Sequence, residues 1–407
     1  MAGAHGTRGM KRHSTSRHPC ESRDPASLLL AGLKSLDPCF RRDDERKGKG
    51  AKLILRAVVA FAALMLLASC ATRGATLNQQ IDALMHDYTG DAPGASVLVL
   101  RDGTALVRRS YGMADREAQA TATPQTNYRL ASVSKQFTAA SILLLAEDGR
   151  LHLDDKVRDW LPTLPQLADP ITIRHLLTHT SGLIDYEDVM EAPDKSPADT
   201  RQVHDADVLK LLESQDRTYF APGTGYRYSN SGYALLSLIV ERASNQRYAD
   251  FLRERIFRPL GMDRTVAYES GISEVSNRAY GYSFENGAWV RTDQSTTSAV
   301  LGDGGIYSSI DDLARWDAAL YDERLLKSTS LQQAFSPATA TDDPEVRYGF
   351  GWRITGETLW HSGEKIGFRN VIVRYPQRHV TVVVLSNRDD PEPYDLAKQI
   401  AAVVMAR

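Results

Sequence analysis

Several signatures that would assign the chain to a familiar class are missing from it. Cysteine occurs only at positions 20, 39 and 70 of the 407 residues, so a folded body that follows position 70 would contain no internal disulfide. No Gly-x-Ser-x-Gly sequence is present, which argues against the α/β-hydrolase fold. The glycine-rich stretch Gly302-Asp-Gly-Gly305 is not followed by Lys-Ser or Lys-Thr, so it is not a phosphate-binding loop.

A metal site is not indicated either. His175 and His179 lie four residues apart, but His175 is not followed by the glutamate of the His-Glu-x-x-His zinc motif. We therefore predict no metal and no cofactor, and we expect the two histidines to shape the wall of a cleft.

Negative charge exceeds positive charge in the body of the chain. The formal net charge is −2, and removing residues 1–69 would take away 13 Lys and Arg with 6 Asp and Glu, leaving −9. An acidic body without a basic patch argues against binding to nucleic acid. The composition, 42% hydrophobic and 25% charged, is that of a globular protein with one large domain or two closely joined ones.

The first 50 residues do not resemble a folded domain. They are rich in Arg, His, Ser, Asp and Gly, and they carry little apolar periodicity. Residues 1–50 are either a disordered leader or lie upstream of the true start. No methionine occurs between Met10 and Met65, so the second alternative requires a non-methionine start codon near residues 49–53.

Residues 51–70 are predicted to be a lipoprotein signal peptide. A basic flank precedes the apolar run AVVAFAALMLLAS, which is short for a membrane span but suits a secretory signal. The run ends in Leu67-Ala68-Ser69-Cys70, which resembles the lipobox of bacterial lipoproteins. The resemblance implies lipidation of Cys70 and a periplasm-facing envelope protein, with Ala71 favouring the outer membrane. A plain signal anchor with an incidental cysteine is the alternative.

The spacing of apolar residues predicts strands near both ends of the chain and helices between them. Asp102-Gly103 separates two apolar runs and indicates a hairpin. The predicted strands are residues 95–100, 104–110, 358–360, 371–375 and 380–386. The predicted helices are residues 77–88, 207–214, 234–243, 248–256 and 394–406, besides one that begins at Ser132. We expect an α/β fold of the α+β type. In it, one antiparallel sheet from both chain ends is flanked by helices and interrupted by a mostly helical insert of about residues 146–290.

The helix that begins at Ser132 carries the first chemical prediction. Residues three apart share a helix face, so the amine of Lys135 can reach Ser132 Oγ and take its proton. The helix N-terminus supplies unpaired N–H groups where an oxyanion would develop. The alternative is an ordinary helix N-cap beside a solvated lysine. The same spacing recurs at Ser362 and Lys365, but a strand would point those two side chains to opposite faces, so we take that copy as coincidence.

Three short sequences then occur in a recognisable order. Ser132-Val-Ser-Lys135, Tyr228-Ser-Asn230 and His361-Ser-Gly363 resemble the three active-site motifs of serine β-lactamases and penicillin-binding proteins. The Tyr-x-Asn form is similar to the class C branch, which also contains D-peptidases, D-aminopeptidases and esterases. Further stretches typical of that branch are ITIRHLLTHTSGL, FAPGTGYRYSNSGY, RPLGM, GDGGIYSSIDDLARW and YGFGW. The resemblance runs from about residue 77 to the C-terminus.

The resemblance implies a role for each motif residue. Tyr228 would shuttle protons, Asn230 would bind Lys135 and the substrate, and the N–H groups of Glu364 and Ser132 would form the oxyanion hole. Gly363 would let the substrate approach the backbone closely.

One motif departs from the β-lactamase pattern. His361 stands where β-lactamases have lysine, and a mostly uncharged histidine grips a substrate carboxylate less firmly. This change favours the peptidase and esterase relatives.

The sequence therefore predicts an exported serine hydrolase of the cell envelope. It would act on small-molecule or peptide substrates through an acyl-enzyme at Ser132. A carboxylesterase on the same scaffold and a non-catalytic envelope-binding lipoprotein are the alternatives.

Overall fold

A computed structural model describes residues 75–190 and 201–407 of the chain. The description below concerns the compact unit of residues 75–407. The predicted leader, the signal peptide and Cys70 lie outside the described residues. Within those residues, no helix combines the length and the apolar character that a membrane span requires.

The strands are numbered in chain order. They are β1 Ala95–Arg101, β2 Thr104–Tyr111, β3 Met113–Asp115, β4 Ala120–Thr121, β5 Tyr128–Arg129, β6 Val266–Ala267, β7 Tyr282–Glu285, β8 Ala288–Arg291, β9 Ile306–Ser308, β10 Thr339–Ala340, β11 Val346–Tyr348, β12 Arg353–Thr355, β13 Thr358–Lys365, β14 Phe368–Tyr375 and β15 Val380–Ser386.

The α-helices are numbered in the same way. They are α1 Leu77–Leu84, α2 Lys135–Glu147, α3 Val157–Trp160, α4 Ile173–Leu177, α5 Tyr186–Val189, α6 Asp205–Glu213, α7 Asn230–Ser244, α8 Tyr248–Leu252, α9 Leu301–Gly304, α10 Ile310–Ala319, α11 Ser328–Ala334 and α12 Tyr394–Met405. A 3₁₀ turn, Ala131–Ser134, leads directly into α2.

One large antiparallel sheet joins the two ends of the described chain. Its eight strands run in the order β10-β11-β12-β13-β14-β15-β1-β2. The β1–β2 turn has positive φ at both central residues, Asp102 (50°) and Gly103 (72°), as a tight two-residue hairpin requires. The predicted fold class is confirmed, with an antiparallel sheet built from the N- and C-terminal segments.

Both faces of the sheet are covered. Val97, Val99 and Val382 face a core completed by α1 and α12, whereas Leu98 and Val383 face a larger core formed with the inserted helices. Because successive side chains point to opposite faces, strands covered on both sides are continuously apolar. β15 is accordingly buried at every position.

The inserted region surrounds one helix that is buried on all sides. From Lys135 to Leu145 every residue of α2 is buried, which is why its apolar residues show no single stripe. α2 packs against α7, and the turn before it meets β13 and β14. The start of α2 therefore lies where the helical region meets the sheet.

Several elements differ from the sequence-based boundaries, and two of them show why. β13 extends to Lys365 rather than ending at Trp360, because pairing with β14 continues through Gly363 and Glu364 although these residues lack apolar alternation. The first helix stops at Leu84, and His86–Tyr88 forms a separate 3₁₀ turn.

Candidate active site

The turn that carries Ser132 is held in an unusual backbone conformation. Ala131 has φ of +50°, a region that costs energy for a residue with a side chain, and it is buried. Asn370 supports the turn from β14, since its amide donates to the carbonyl of Arg129 at 2.8 Å. The fold thus holds Ser132 at the surface of the cleft in a backbone shape that the surroundings impose.

β13 passes very close to this turn at Gly363. A Cβ atom at Gly363 would lie 2.0 Å from the carbonyl oxygen of Leu130 and 3.3 Å from the nitrogen of Ser132. Only glycine fits there without displacing backbone. We expected Gly363 to let a substrate approach the backbone closely. In the structure, Gly363 also lets the Ser132 turn pack directly against β13.

Lys135 lies at the centre of a hydrogen-bonded cluster. Its Nζ is 3.1 Å from Ser132 Oγ, 2.8 Å from Asn230 Oδ1 and 3.0 Å from the carbonyl oxygen of Asp303. These three acceptors match the three donors of an ammonium group. To act as a base, the amine has to give up one proton and accept the hydroxyl proton of Ser132 along the 3.1 Å contact.

Asn230 is held from two sides. The buried carboxylate of Asp185 accepts the backbone N–H groups of Asn230, at 2.5 Å, and Ser231, at 3.3 Å, which caps the start of α7. The side-chain amide of Asn230 donates to Glu187 Oε2 at 3.0 Å. Its oxygen is thereby turned towards Lys135.

The polar chain continues across the cleft. Glu187 Oε1 accepts a hydrogen bond from Lys365 Nζ at 3.2 Å, which links α5 to β13. Lys365 also contacts the hydroxyl of Thr297. From the sequence, the spacing of Lys365 from Ser362 is a coincidence. β13 is indeed a strand there, and the lysine itself lies in the cleft.

Tyr228 lies between two cations. The centre of its ring is 5.0 Å from Lys135 Nζ and 5.3 Å from Arg353 Cζ. His179 packs on the ring at 4.4 Å between ring centres, and its Nδ1 accepts the backbone N–H of Ser229. The Tyr228 hydroxyl is buried and has no hydrogen-bond partner among the described residues. The Tyr228 hydroxyl therefore lies in the cleft without a described protein group that accepts its proton.

His361 has both ring nitrogens engaged by the protein. Nδ1 donates to the carbonyl of Ser362 at 2.6 Å, so Nε2 accepts from the hydroxyl of Tyr348 at 2.9 Å. Burial, with Arg353 and Lys135 nearby, holds the pKa of His361 well below its usual value. We expected His361 to donate to a substrate carboxylate. In this arrangement the neutral ring has no donor left for one.

Asp303 is a buried carboxyl beside Lys135. Tyr186 donates to its Oδ2 at 2.6 Å, while its backbone carbonyl accepts from Lys135. Burial raises the pKa of Asp303 to about 7, although Lys135 and Lys365 act in the opposite direction. The sequence analysis noted the glycine-rich loop but assigned no role to this carboxyl.

Most of the predicted residues line one cavity of about 660 Å³, while Lys135 and Gly363 contact the Ser132 turn without lining it. The cavity lies between the helical region and β13. Its lining residues are Ala131, Ser132, Glu187, Tyr228, Asn230, Ser283, Phe284, Glu285, Asp303, Gly304, Arg353, His361, Ser362, Glu364, Lys365, Ile366, Arg369 and Asp389.

One prediction has a different outcome, and Glu364 needs a separate comment. His175 does not line the cavity; its ring nitrogen accepts the backbone N–H of Thr172 and so caps α4. The Glu364 side chain is exposed at the cavity rim, 4.0 Å from Arg369. Its backbone follows Gly363 in the pairing of β13 with β14, beside the Ser132 turn.

The cavity also contains residues that sequence reasoning missed. Arg353, Glu187 and Phe284 line it, yet none belongs to a catalytic motif. Lys365 could have been found from strand periodicity, because it lies four residues after His361 and therefore on the same strand face.

This geometry is suited to acyl transfer. The Ser132 hydroxyl lies within hydrogen-bonding distance of the Lys135 amine, Tyr228 is next to that amine, and β13 packs against the Ser132 turn. In the part of the chain that the structure describes, no cluster of side chains suitable for a metal ion is found.

Comparison with known proteins places these features in context. A family model described as beta-lactamase matches residues 77–405. Penicillin-binding protein 4* of Bacillus subtilis (strain 168) is 35% identical over 330 residues, which cover 77% of this chain and 71% of that protein. D-aminopeptidase of Gluconobacter oxydans (strain 621H) is 29% identical, over 81% of this chain but only 62% of that protein.

A solved structure gives the same picture. The octameric penicillin-binding protein homologue from Pyrococcus abyssi superposes with a TM-score of 0.73 and 26% identity, covering 81% of this chain and 77% of that one. The similarity therefore extends over the sheet, the helical insert and the cleft.

Proposed function

Because the chain belongs to the beta-lactamase family of serine hydrolases, we propose that it is a D-peptidase that recognises a substrate with a free C-terminal carboxylate. The D-aminopeptidase relative supports action on substrates that contain D-amino acids. The preference for a carboxylate rests on one observation, the state of Arg353.

Arg353 is a cation in the cavity without an anionic partner. No carboxylate lies within ion-pair distance of it among the described residues, and its Nε is buried without a hydrogen-bond partner. It packs over the rings of Tyr228 and Trp360, at 5.3 and 5.4 Å. A guanidinium presents a planar fork that matches a carboxylate. Arg353 thus supplies the carboxylate contact that the neutral His361 does not.

The reaction follows from the positions of Ser132, Lys135 and Tyr228. Ser132 Oγ attacks the carbonyl carbon while its proton passes to the Lys135 amine, and the N–H groups of Ser132 and Glu364 stabilise the oxyanion. The C–N bond then breaks, and Tyr228 relays a proton to the leaving amine. Water, activated by Lys135 and Tyr228, then attacks the acyl-enzyme ester and releases the acid and free Ser132.

The test compares two matched arginine variants. Arg353→Met removes the guanidinium and keeps an unbranched stem, whereas Arg347→Met changes an exposed arginine on the neighbouring strand β11. Each is assayed on a peptide that ends in D-Ala-D-Ala, on the same peptide with a C-terminal amide, and on a p-nitrophenyl ester.

We expect the free acid to exceed the amide at least tenfold in kcat/KM, in the unmodified protein and in Arg347→Met. Arg353→Met should lose this preference, because a charged hydrogen bond contributes about 1.5–3 kcal/mol, and should retain ester hydrolysis. Equal rates on acid and amide would contradict the carboxylate assignment. Rapid ester turnover without peptide cleavage would instead indicate an esterase.

Export and lipid attachment are part of the same proposal. The lipobox-like sequence before Cys70 supports a lipid-anchored envelope protein that faces the periplasm. The full chain expressed in a Gram-negative host should incorporate labelled palmitate and fractionate with membranes, and Cys70→Ser should do neither. Palmitate incorporation by the serine variant would contradict lipidation at Cys70.

A further inference from the structure

The β7–β8 hairpin presents an exposed aromatic residue to the cleft. Six large apolar side chains are exposed in the described residues, and among them Phe284 alone lines the cavity that contains Ser132. Phe284 is 58% exposed. An exposed phenyl ring in a mostly polar cavity leaves apolar surface that a substrate group can cover.

The hairpin holds this ring in a fixed position. Trp289 packs edge-on against Phe284 with 5.0 Å between ring centres. The backbone of Tyr282 exchanges hydrogen bonds with Asn387 and Asp389, at 3.0 and 3.2 Å. The guanidinium of Arg116 donates to the carbonyl of Trp289 at 3.3 Å. These contacts fix the hairpin, and with it the position of the exposed Phe284 ring.

A second apolar side chain comes from the end of β13. Ile366 lines the same cavity and precedes Gly367. Gly367 lies so close to Gly281, the residue before β7, that a Cβ atom on it would be 2.6 Å from the Gly281 backbone. Ile366 and the hairpin are consequently brought to the same end of the cleft.

The order of residues along β13 shows which part of a substrate would reach this end. Arg353 is paired with Trp360, the Ser132 turn touches Gly363, and Ile366 follows the last residue of the strand. At about 3.3 Å per residue, Trp360 and Ile366 lie about 10 Å to either side of Gly363. With the carboxylate of the leaving group at Arg353, the acyl part extends towards Ile366 and Phe284.

We infer that Phe284 and Ile366 form an apolar subsite for the acyl part of the substrate, about three residues along β13 from the scissile bond. The direction of the acyl part rests on the proposed function. The subsite itself does not, since it can be tested on esters that carry no carboxylate.

The test measures kcat/KM of the full-length protein on p-nitrophenyl acetate, hexanoate and decanoate. Phe284→Ala removes the ring, Phe284→Leu keeps apolar bulk, and Ile272→Ala is a matched control. Ile272 is 67% exposed and does not line the cavity. Each methylene that becomes buried against the patch should raise kcat/KM by about fourfold.

The unmodified protein and Ile272→Ala should therefore prefer the longest ester. Phe284→Ala should lose at least tenfold on decanoate with little change on acetate, mostly through KM, and Phe284→Leu should recover part of the loss. The same chain-length profile in Phe284→Ala as in the unmodified protein would overturn the inference. Failure of the carboxylate preference at Arg353 would leave this result unaffected.

Discussion

Replacing Gly363 with alanine tests how the sheet supports the nucleophile. The new Cβ would lie 2.0 Å from the Leu130 carbonyl oxygen, whereas ordinary contact begins at 3.4 Å. Because both groups belong to the backbone, no rotamer change relieves the overlap, and the Ser132 turn has to move by about 1 Å. A displacement of that size costs about 10²-fold in rate, and overpacking destabilises by about 1–3 kcal/mol.

Gly304→Ala provides the control on the other side of the same turn. A Cβ atom there would be 3.6 Å from the carbonyl carbon of Ala131, an ordinary contact. We expect Gly363→Ala to react at least tenfold more slowly than Gly304→Ala with a fluorophosphonate and to melt at a lower temperature. Unchanged labelling and unchanged melting of Gly363→Ala would refute the close packing of β13 on the nucleophile turn.

Two further substitutions separate chemistry from stability. Tyr228→Phe removes a buried hydroxyl without a partner, so the free energy of unfolding should not fall, whereas acylation should slow by about 10²-fold or more. Wild-type labelling rates would contradict this. Burial raises the pKa of Asp303 from 3.8 to about 7, so its contribution to stability is lost as pH rises through that window, by up to about 4 kcal/mol. Asp303→Asn can keep the hydrogen bond from Tyr186. Between about pH 4 and about pH 8, its melting temperature should fall less than that of the unmodified protein. Equal falls would contradict the raised pKa of Asp303.

Local patterns were enough to predict much of the sheet and the central helix. The strand at Val380–Ser386 was predicted with its observed ends, because an uninterrupted apolar run identifies a strand covered on both faces. The β1–β2 hairpin followed from Asp102-Gly103. Asn286-Gly287 is an equally strong hairpin signal and marks the β7–β8 turn, where φ is +50° and +82°. The β7–β8 hairpin that carries Phe284 was not predicted, because this signal at Asn286-Gly287 was overlooked.

The candidate site was predictable only where residues are close in sequence or belong to a motif. Ser132 and Lys135 are three apart, and the structure places them in contact. The contact between Lys135 and Asp303 spans 168 positions and arises from the packing of α9 on the nucleophile turn. Arg353 directly follows the family-typical stretch YGFGW. Its lack of an anionic partner among the described residues is visible only once the sheet is assembled.

Intact mass with peptide mapping of the full-length protein, after treatment with a fluorophosphonate, determines whether Ser132 is the nucleophile. The Ser132 hydroxyl lies 3.1 Å from the Lys135 amine. We predict one adduct per chain, located on Ser132, and no adduct on a folded Ser132→Ala variant. An adduct on another residue, or labelling that persists in Ser132→Ala, would contradict it.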